Sequence, residues 1–386
     1  LIYFDHNATT PLRADVLEAM EPFLKEAYGN PSSVHEAGRI VADRIDEARV
    51  CVAGALNVRA DEIYFTSGGT EADNWALKGV MEAEWLRCQS RGALLTSTAE
   101  HPAVLDSAAA LARRGYRVEF HAVDGSGLID VDRLLSTIDR GPTPTLVSLL
   151  HANNETGVIQ PLVQIGPALR KRGILFHVDA VQSFGKVEVH PESLGADLIS
   201  LSAHKINGPK GSGALYVRSG VEIEPLLHGG GQEAGRRPGT LHAAGIVGLG
   251  AATRIAEAGR IATAQHLQSL RDRLQAGLIE AVGDVEIHGG DADRLVQTLN
   301  VSFTGVEAEA VLLGLDQLGI AAASGSACTA GQPEPSHVLL AMGVEPRQAA
   351  SAIRFSLGWG NDEAQVDEVL DVLPPIIARL RAMSVF

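Results

Sequence analysis

Cysteine is scarce in this chain, with three among 386 residues, at Cys51, Cys88 and Cys328. So few thiols cannot build a disulfide framework, and a reducing, cytoplasmic setting is the expectation. No apolar run is long enough to span a bilayer. The opening Leu1-Ile-Tyr-Phe-Asp5 also lacks the tripartite form of a signal peptide. Positive charge is short as well: 32 Lys and Arg face 47 Asp and Glu, for a formal net charge of −15. That balance disfavours binding of nucleic acid by general electrostatics. Repeats and low-complexity tracts do not stand out. What is there is ordinary globular composition, 45% hydrophobic and 20% charged, in a chain long enough for one large core and a smaller one. A soluble intracellular enzyme is the default.

The patterning predicts the fold class. A short strand over 1–4 enters a polar turn, and Val16, Leu17, Met20, Phe23 and Leu24 fall at helical spacing over 13–28. Gly29-Asn-Pro-Ser-Ser33 breaks that helix, and Ser33 is expected to cap the next one, which runs to about Leu56. Cys51 on it reads as a small buried core residue, and Cys88 as structural or exposed and inert. After a strand over 62–66, strands at 93–97, 117–122, 145–150 and 174–178 alternate with helices after Pro102 and over 131–138 and 162–172. Such alternation predicts an α/β fold with a mostly parallel sheet and helices on both faces. The stretch 243–282 is too long for one ordinary helix, so a bend and a domain crossing are expected near Ala256. Beyond it, strands at 299–303 and 353–357 and helices over 307–318 and 363–383 suggest a smaller α+β domain. The expected division is 13–256 for the large domain and 1–12 with 257–386 for the small one.

Ligands in such sheets bind beyond the carboxyl ends of the strands. The sequence places Ser67-Gly-Gly-Thr70, Ala99-Glu-His101, His151-Ala-Asn-Asn154, His177-Val-Asp179 and Ser202-Ala-His-Lys205 there. Gly69 and Thr70 open a helix after a strand and a glycine turn, so free N–H groups and a positive dipole end suit a phosphate. Lys205 leaves a buried strand end in a loop rich in glycine. That placement suits an amine of lowered pKa able to form a Schiff base with an aldehyde cofactor, with Lys210 as a competitor. Cys328 lies within Ser324-Gly-Ser-Ala-Cys-Thr-Ala-Gly-Gln-Pro-Glu-Pro335, where small residues offer no apolar packing. An exposed thiol on a mobile loop, kept because it is used, is the expectation. No second Cys or His stands at metal-ligand spacing, so no metal is expected.

With these residues placed, the chain resembles the cysteine desulfurases of the NifS/IscS type. These are pyridoxal 5'-phosphate enzymes of the class-V aminotransferase family with the aspartate-aminotransferase-like fold (fold type I). The resemblance runs from Tyr3 almost to the C-terminus. It rests on Asp5-His-Asn-Ala-Thr-Thr10, Gly29-Asn-Pro-Ser-Ser33, Phe65-Thr-Ser-Gly-Gly-Thr-Glu71, Glu100-His-Pro-Ala-Val-Leu105 and Asn153-Asn-Glu-Thr-Gly157. It continues through His177-Val-Asp-Ala-Val-Gln182, Ala203-His-Lys205, Gly235-Arg-Arg-Pro-Gly-Thr240, Ser324-Gly-Ser-Ala-Cys-Thr329, Glu334-Pro-Ser-His337 and Ile353-Arg-Phe-Ser356. The long loop around Cys328 is similar to that of the group with mobile cysteine loops.

The resemblance implies roles residue by residue. Lys205 would hold the cofactor as a Schiff base and move the substrate's Cα proton. Asp179 would keep the pyridine nitrogen protonated, and His101 would stack on the ring and shuttle protons. Asn154 and Gln182 would bond the phenolic oxygen. Gly69, Thr70, Ser202 and His204 would hold the phosphate, with Thr240 reaching in from the other subunit of a homodimer. Arg354, with Asn154, would clamp the carboxylate of L-cysteine, and Cys328 would take its sulfur as a persulfide, releasing L-alanine. A sulfur acceptor or iron-sulfur scaffold protein is the implied partner. Gln332 and Pro333 depart from the pattern after the cysteine, and the chain stops at Phe386 without the longer tail many relatives use to dock scaffolds. The rival readings are another enzyme of this fold, such as a selenocysteine lyase, aminotransferase or β-lyase, or a non-catalytic sulfur carrier.

Overall fold

A computed structural model describes residues 1–324 and 335–383 of the protein. Its centre is a seven-stranded sheet. The spatial order is Ile63–Thr66, Gly213–Val217, Leu198–Ser202, Leu175–Asp179, Leu146–Leu150, Ala93–Ser97 and Arg117–His121. Pairings from Leu198–Ser202 out to Arg117–His121 are parallel, whereas Gly213–Val217 runs antiparallel to both neighbours. Leu146–Leu150, Leu198–Ser202 and Gly213–Val217 are buried along their whole length. They read as apolar runs without alternation because both faces of the sheet are covered. Val41, Ile45, Leu56, Phe176 and Leu249 pack in one core cluster and Trp75, Leu77, Met81 and Leu111 in another. The α/β architecture with a mostly parallel sheet is as the sequence predicts.

A second sheet has four antiparallel strands in the order Ala323–Ser324, Ala352–Ser356, Thr298–Phe303 and Val285–His288. The helices Ala308–Asp316 and Glu363–Met383 share a core with it that contains Leu299, Phe303, Val311, Phe355 and Leu373. Phe4 joins this core, and Ile2–Tyr3 pairs in parallel with Ile320–Ala321. The first residues of the chain are thereby stitched to the last third. Among the described residues, no helix is long and apolar enough to cross a membrane.

Three expectations need correction. The stretch Ala243–Val282 is one α-helix of 40 residues without an interruption near Ala256. Its buried positions run from Ala244 to Thr253 and resume at Leu267, so each half has a core of its own. Length limits drawn from helices that pack on a single core do not apply to a helix that joins two. Ser33 is not the cap of the second helix. Its N–H closes a turn on the Asn30 carbonyl at 2.9 Å, and the helix Glu36–Leu56 is capped by His35, whose Nδ1 accepts from the Gly38 N–H at 3.2 Å. Cys51 is only half-buried, because the inward face of that helix is taken by Ala48 and Val52. Cys88 closes the helix Gly69–Cys88 and is exposed.

Candidate active site

Lys205 ends a single 3-10 turn, Ala203–Lys205, that follows the strand Leu198–Ser202. Its ammonium donates to the carbonyls of Asn7 and, at 2.9 Å, Ala8. Those carbonyls belong to the stretch the sequence presents as a polar turn, in which His6, Asn7 and Thr10 are buried and Ala8 is exposed. The Asn7 N–H donates to Ser356 Oγ at 2.9 Å, its Nδ2 to Thr298 Oγ1 at 2.9 Å, and Thr10 Oγ1 to the His204 carbonyl at 2.8 Å. Burial pushes the Lys205 amine down to about 8; Arg354 adds to the fall while Asp179 and Asp5 oppose it. Lys210, the competitor, is exposed and reaches only the Thr10 carbonyl at 3.4 Å.

Lys205 opens on a cavity of about 260 Å³ whose wall includes Gly69, Thr70, His101, Asn154, Asp179, Gln182, Ser202 and His204. The predicted strand ends therefore do converge. An adjoining opening is bordered by Gly68, Thr70, Ser202 and His204. There the helix Gly69–Cys88 begins at Gly68, with φ 152° and no side chain capping it. Its first N–H groups and the positive end of its dipole are left for an anion. A Cβ on Gly69 would meet Val181 at 2.6 Å, so only glycine leaves the backbone accessible here.

Asp179 is buried, and its Oδ1 accepts from the Val181 N–H at 2.9 Å. Burial raises its pKa, with His101 and Lys205 pulling the other way. Such a carboxylate fits a protonated pyridine nitrogen, whose charge would add to that of Lys205 in holding it ionised. His101 caps the helix Pro102–Arg113 by accepting the Ala103 N–H on Nδ1 at 3.1 Å, which leaves the proton on Nε2. Burial lowers its pKa, with Asp179 opposing. His204 meets Thr9 Oγ1 at 3.0 Å, and burial with Lys205, Lys210 and Lys186 nearby lowers it to about 4. The donor set, an anion cradle, a lysine of lowered pKa and a buried carboxylate on one cavity, fits pyridoxal 5'-phosphate.

Four predicted residues stand apart or differ. Gln182 donates from Nε2 to the Asn7 carbonyl at 2.7 Å and accepts from Lys186 Nζ at 3.1 Å, leaving one N–H of its amide for a ligand. Arg354 does not line the cavity; it donates to Asp5 Oδ1 at 2.6 Å and to the Asn154 carbonyl at 3.1 Å. Thr240 is exposed and borders no part of its own chain's cavity. Its loop is fastened by Arg237 Nε on Glu71 at 2.8 Å and by Glu233, which pairs with Arg49 at 2.7 Å and accepts the Phe65 N–H at 2.8 Å. Cys328 lies outside the described residues.

Residues missed from the sequence are Asn7, Asp73 and Lys186. Asp73 lines the cavity and faces His177 Nε2 at 3.6 Å, while His177 is held between Ser148 Oγ at 2.8 Å and Ser200 Oγ at 2.9 Å. Burial takes His177 down to about 3 and raises Asp73 strongly, Asp179 adding to the rise. Lys186 is half-buried, and desolvation, Lys205 and Arg354 together lower it to about 7. The available signal was spacing: Lys186 stands four residues after Gln182, and Asp73 one helical turn after Gly69.

The family model of aminotransferase class-V matches residues 2–369. A cysteine desulfurase IscS of Methanosarcina thermophila is 46% identical over 384 residues, covering 99% of this chain and 93% of that protein. Cysteine desulfurase 2 of Trichormus variabilis is 45% identical, covering 100% of this chain and 95% of that protein. The solved structure of a NifS-like protein superposes with a TM-score of 0.91 at 39% identity, over 98% of this chain and 99% of that one. The chain belongs to the aminotransferase class-V family and, within it, to the cysteine desulfurases of the NifS/IscS type.

Proposed function

We propose that the chain converts L-cysteine to L-alanine and takes up the sulfur as a persulfide on Cys328, with pyridoxal 5'-phosphate as its cofactor. The observation that carries this is Lys205, a half-buried lysine whose amine is lowered to about 8, on one cavity with Asp179 and the uncapped helix start at Gly69. When bound, the cofactor supplies a carbonyl for the substrate amine and an electron sink for the Cα–H bond. Lys205 would hold it covalently and, once released by the substrate amine, carry the Cα proton. Asp179 would pair with its ring nitrogen. Gly69, Thr70, Ser202 and His204 would hold its phosphate, and Asn154 and Gln182 its phenolic oxygen. His101, neutral with its proton on Nε2, is placed to exchange a proton with the reacting atoms. Arg354 would receive the substrate carboxylate.

In the sulfur step the Cys328 thiolate attacks the substrate sulfur. An S–S bond forms and the Cβ–S bond breaks. The bonding pair stays on Cβ, which takes up a proton and becomes the methyl group of alanine. The rest of the proposal concerns assembly. The division at 13–256 against 1–12 and 257–386 places Lys205 in one domain and Arg354 in the other. Two copies would share sites through Thr240, and the acceptor would be a sulfur-receiving or iron-sulfur scaffold protein in the cytoplasm. Purified protein given L-cysteine and a thiol reductant should form alanine and sulfide in equal amounts. Pyruvate and ammonia in place of alanine would mark a β-lyase instead.

A further inference from the structure

On the other side of Lys205 lies a second cavity, about 330 Å³ in volume and also bordered by Asn7 and Lys186. That is within the range of small-molecule pockets, roughly 300–1,000 Å³. Among the described residues its wall holds Arg13, Lys186, Lys205 and Arg260 and no Asp or Glu, in a chain whose formal net charge is −15. Two of these cations have partners elsewhere. Arg13 pairs with Asp15 at 2.8 Å and lies 4.8 Å over the Trp359 ring, and Arg260 stands 3.5 Å from both Glu188 and Glu257. Lys186 differs. It is half-buried, its hydrogen bond goes to the neutral Gln182 Oε1 at 3.1 Å, and the charges that act on it are those of Lys205 and Arg354. A partly desolvated amine beside like charges is a costly arrangement that an anion would relieve. Gln297 adds a second donor: it is 3% exposed, lines the same cavity, and its Nε2 has no hydrogen-bond partner. His6, Asn7, Thr10, Asn207 and Thr263 add polar groups to the wall, and Ile255, Leu267, Val296 and Leu357 give it an apolar stretch.

We infer that this cavity is a second binding site, separate from the substrate site, for a small carboxylate with an apolar body. The head group sits against Lys186 and Gln297, and the body lies along Ile255, Leu267, Val296 and Leu357. Charge decides the head, because the polar end offers donors and a cation. Lining decides the body.

The site is wired to the cofactor cavity by three hydrogen bonds. Lys186 donates to Gln182, Gln182 donates to the Asn7 carbonyl, and Lys205 donates to that same carbonyl. A carboxylate that draws Lys186 toward itself releases Gln182 Oε1 and adds negative charge behind Lys205. Binding there is therefore linked to the state of the cofactor-holding amine, and the linkage is reciprocal.

The cofactor-loaded protein is titrated calorimetrically with phenylacetate and, separately, with uncharged phenylacetamide, with and without saturating L-alanine in the substrate site. The expected result is saturable phenylacetate binding unaffected by L-alanine, no binding of the amide, and a change in cofactor absorbance tracking occupancy. Lys186→Met should weaken binding at least tenfold. Ala264→Phe, which fills the cavity from its half-buried helix face, should do the same with Lys186 intact, so the claim stays testable if the first variant misfolds. The inference is overturned if phenylacetate shows no saturable binding, if L-alanine displaces it, or if it binds a folded variant as tightly as wild type. Calorimetry reads the site whether or not the protein desulfurates cysteine, so its failure is distinguishable from a failure of the proposed function.

Discussion

The Arg354 guanidinium donates to the Asp5 carboxylate at 2.6 Å, while its Nε has no partner. Asp5 therefore occupies the group that would receive the substrate's carboxylate. Arg354→Lys should raise KM for L-cysteine while the cofactor colour persists. A hydrogen bond to a charged group is worth about 1.5–3 kcal/mol, so the rise should be roughly ten- to hundredfold. Asp5→Asn, which removes the competitor, should lower KM. Steady-state kinetics with an unchanged KM in both variants would remove Arg354 from substrate binding.

The Lys205 amine, held down to about 8, sets a pH dependence. Only the neutral amine attacks an aldehyde. The rate of pyridoxal 5'-phosphate capture by the apoprotein should therefore climb through pH 8 and level off above it. At pH 6.5 it should be about thirtyfold below the plateau, since each pH unit is a factor of about ten. Lys205→Ala should take up the cofactor without covalent attachment. Borohydride trapping that labels Lys210 instead would overturn the assignment.

The sheet was legible because its strands are short apolar runs that alternate with helices, and the motif residues fall at their carboxyl ends. Asp179, His101 and Lys205 could be placed from that pattern alone. What stayed hidden is side-chain pairing at a distance. Asp5-His-Asn-Ala-Thr-Thr10 is all polar or small and reads as a polar turn, yet Asn7 and Thr10 are buried, their polar groups satisfied by Ser356, Thr298 and His204. Lys186 is one of six lysines, and nothing in its local sequence shows that it sits between two cavities. The unbroken helix Ala243–Val282 depends on two cores, and the local pattern names neither.

Asp73 tests the electrostatics of the cavity wall. Its pKa is raised by burial and by Asp179, and its neighbour His177, lowered to about 3, is neutral. The folded apoprotein thus prefers protonated Asp73, and its stability falls as pH rises above the unfolded carboxylate value of about 4. Asp73→Asn removes that loss. Its melting temperature should match wild type near pH 3.5 and exceed it increasingly toward neutrality. A variant less stable than wild type at pH 7 would mean that the pair is ionised.

Sharing of sites between subunits is tested by complementation. Thr240→Asp places a negative charge at the proposed phosphate contact, and Lys205→Ala removes the amine. Each should be inactive alone. After demonstrated subunit exchange at equal amounts, half the dimers are mixed and each has one intact site, giving about a quarter of wild-type activity. No recovery after exchange would mean that Thr240 serves its own chain or none.

The most direct measurement separates carbon chemistry from sulfur chemistry. A free thiol with a pKa of about 8.5 is only a few per cent ionised near neutrality, and Cys328 has no Lys or Arg beside it in sequence. Even so, it is the thiol to which the account assigns sulfur capture, since Cys51 and Cys88 lie on helices away from the cavity wall. Cys328→Ala should stay yellow and change its spectrum on addition of L-cysteine, yet form neither persulfide nor alanine at an appreciable rate. Cys51→Ala and Cys88→Ala should turn over like wild type. Alanine production by Cys328→Ala near the wild-type rate would contradict the mechanism.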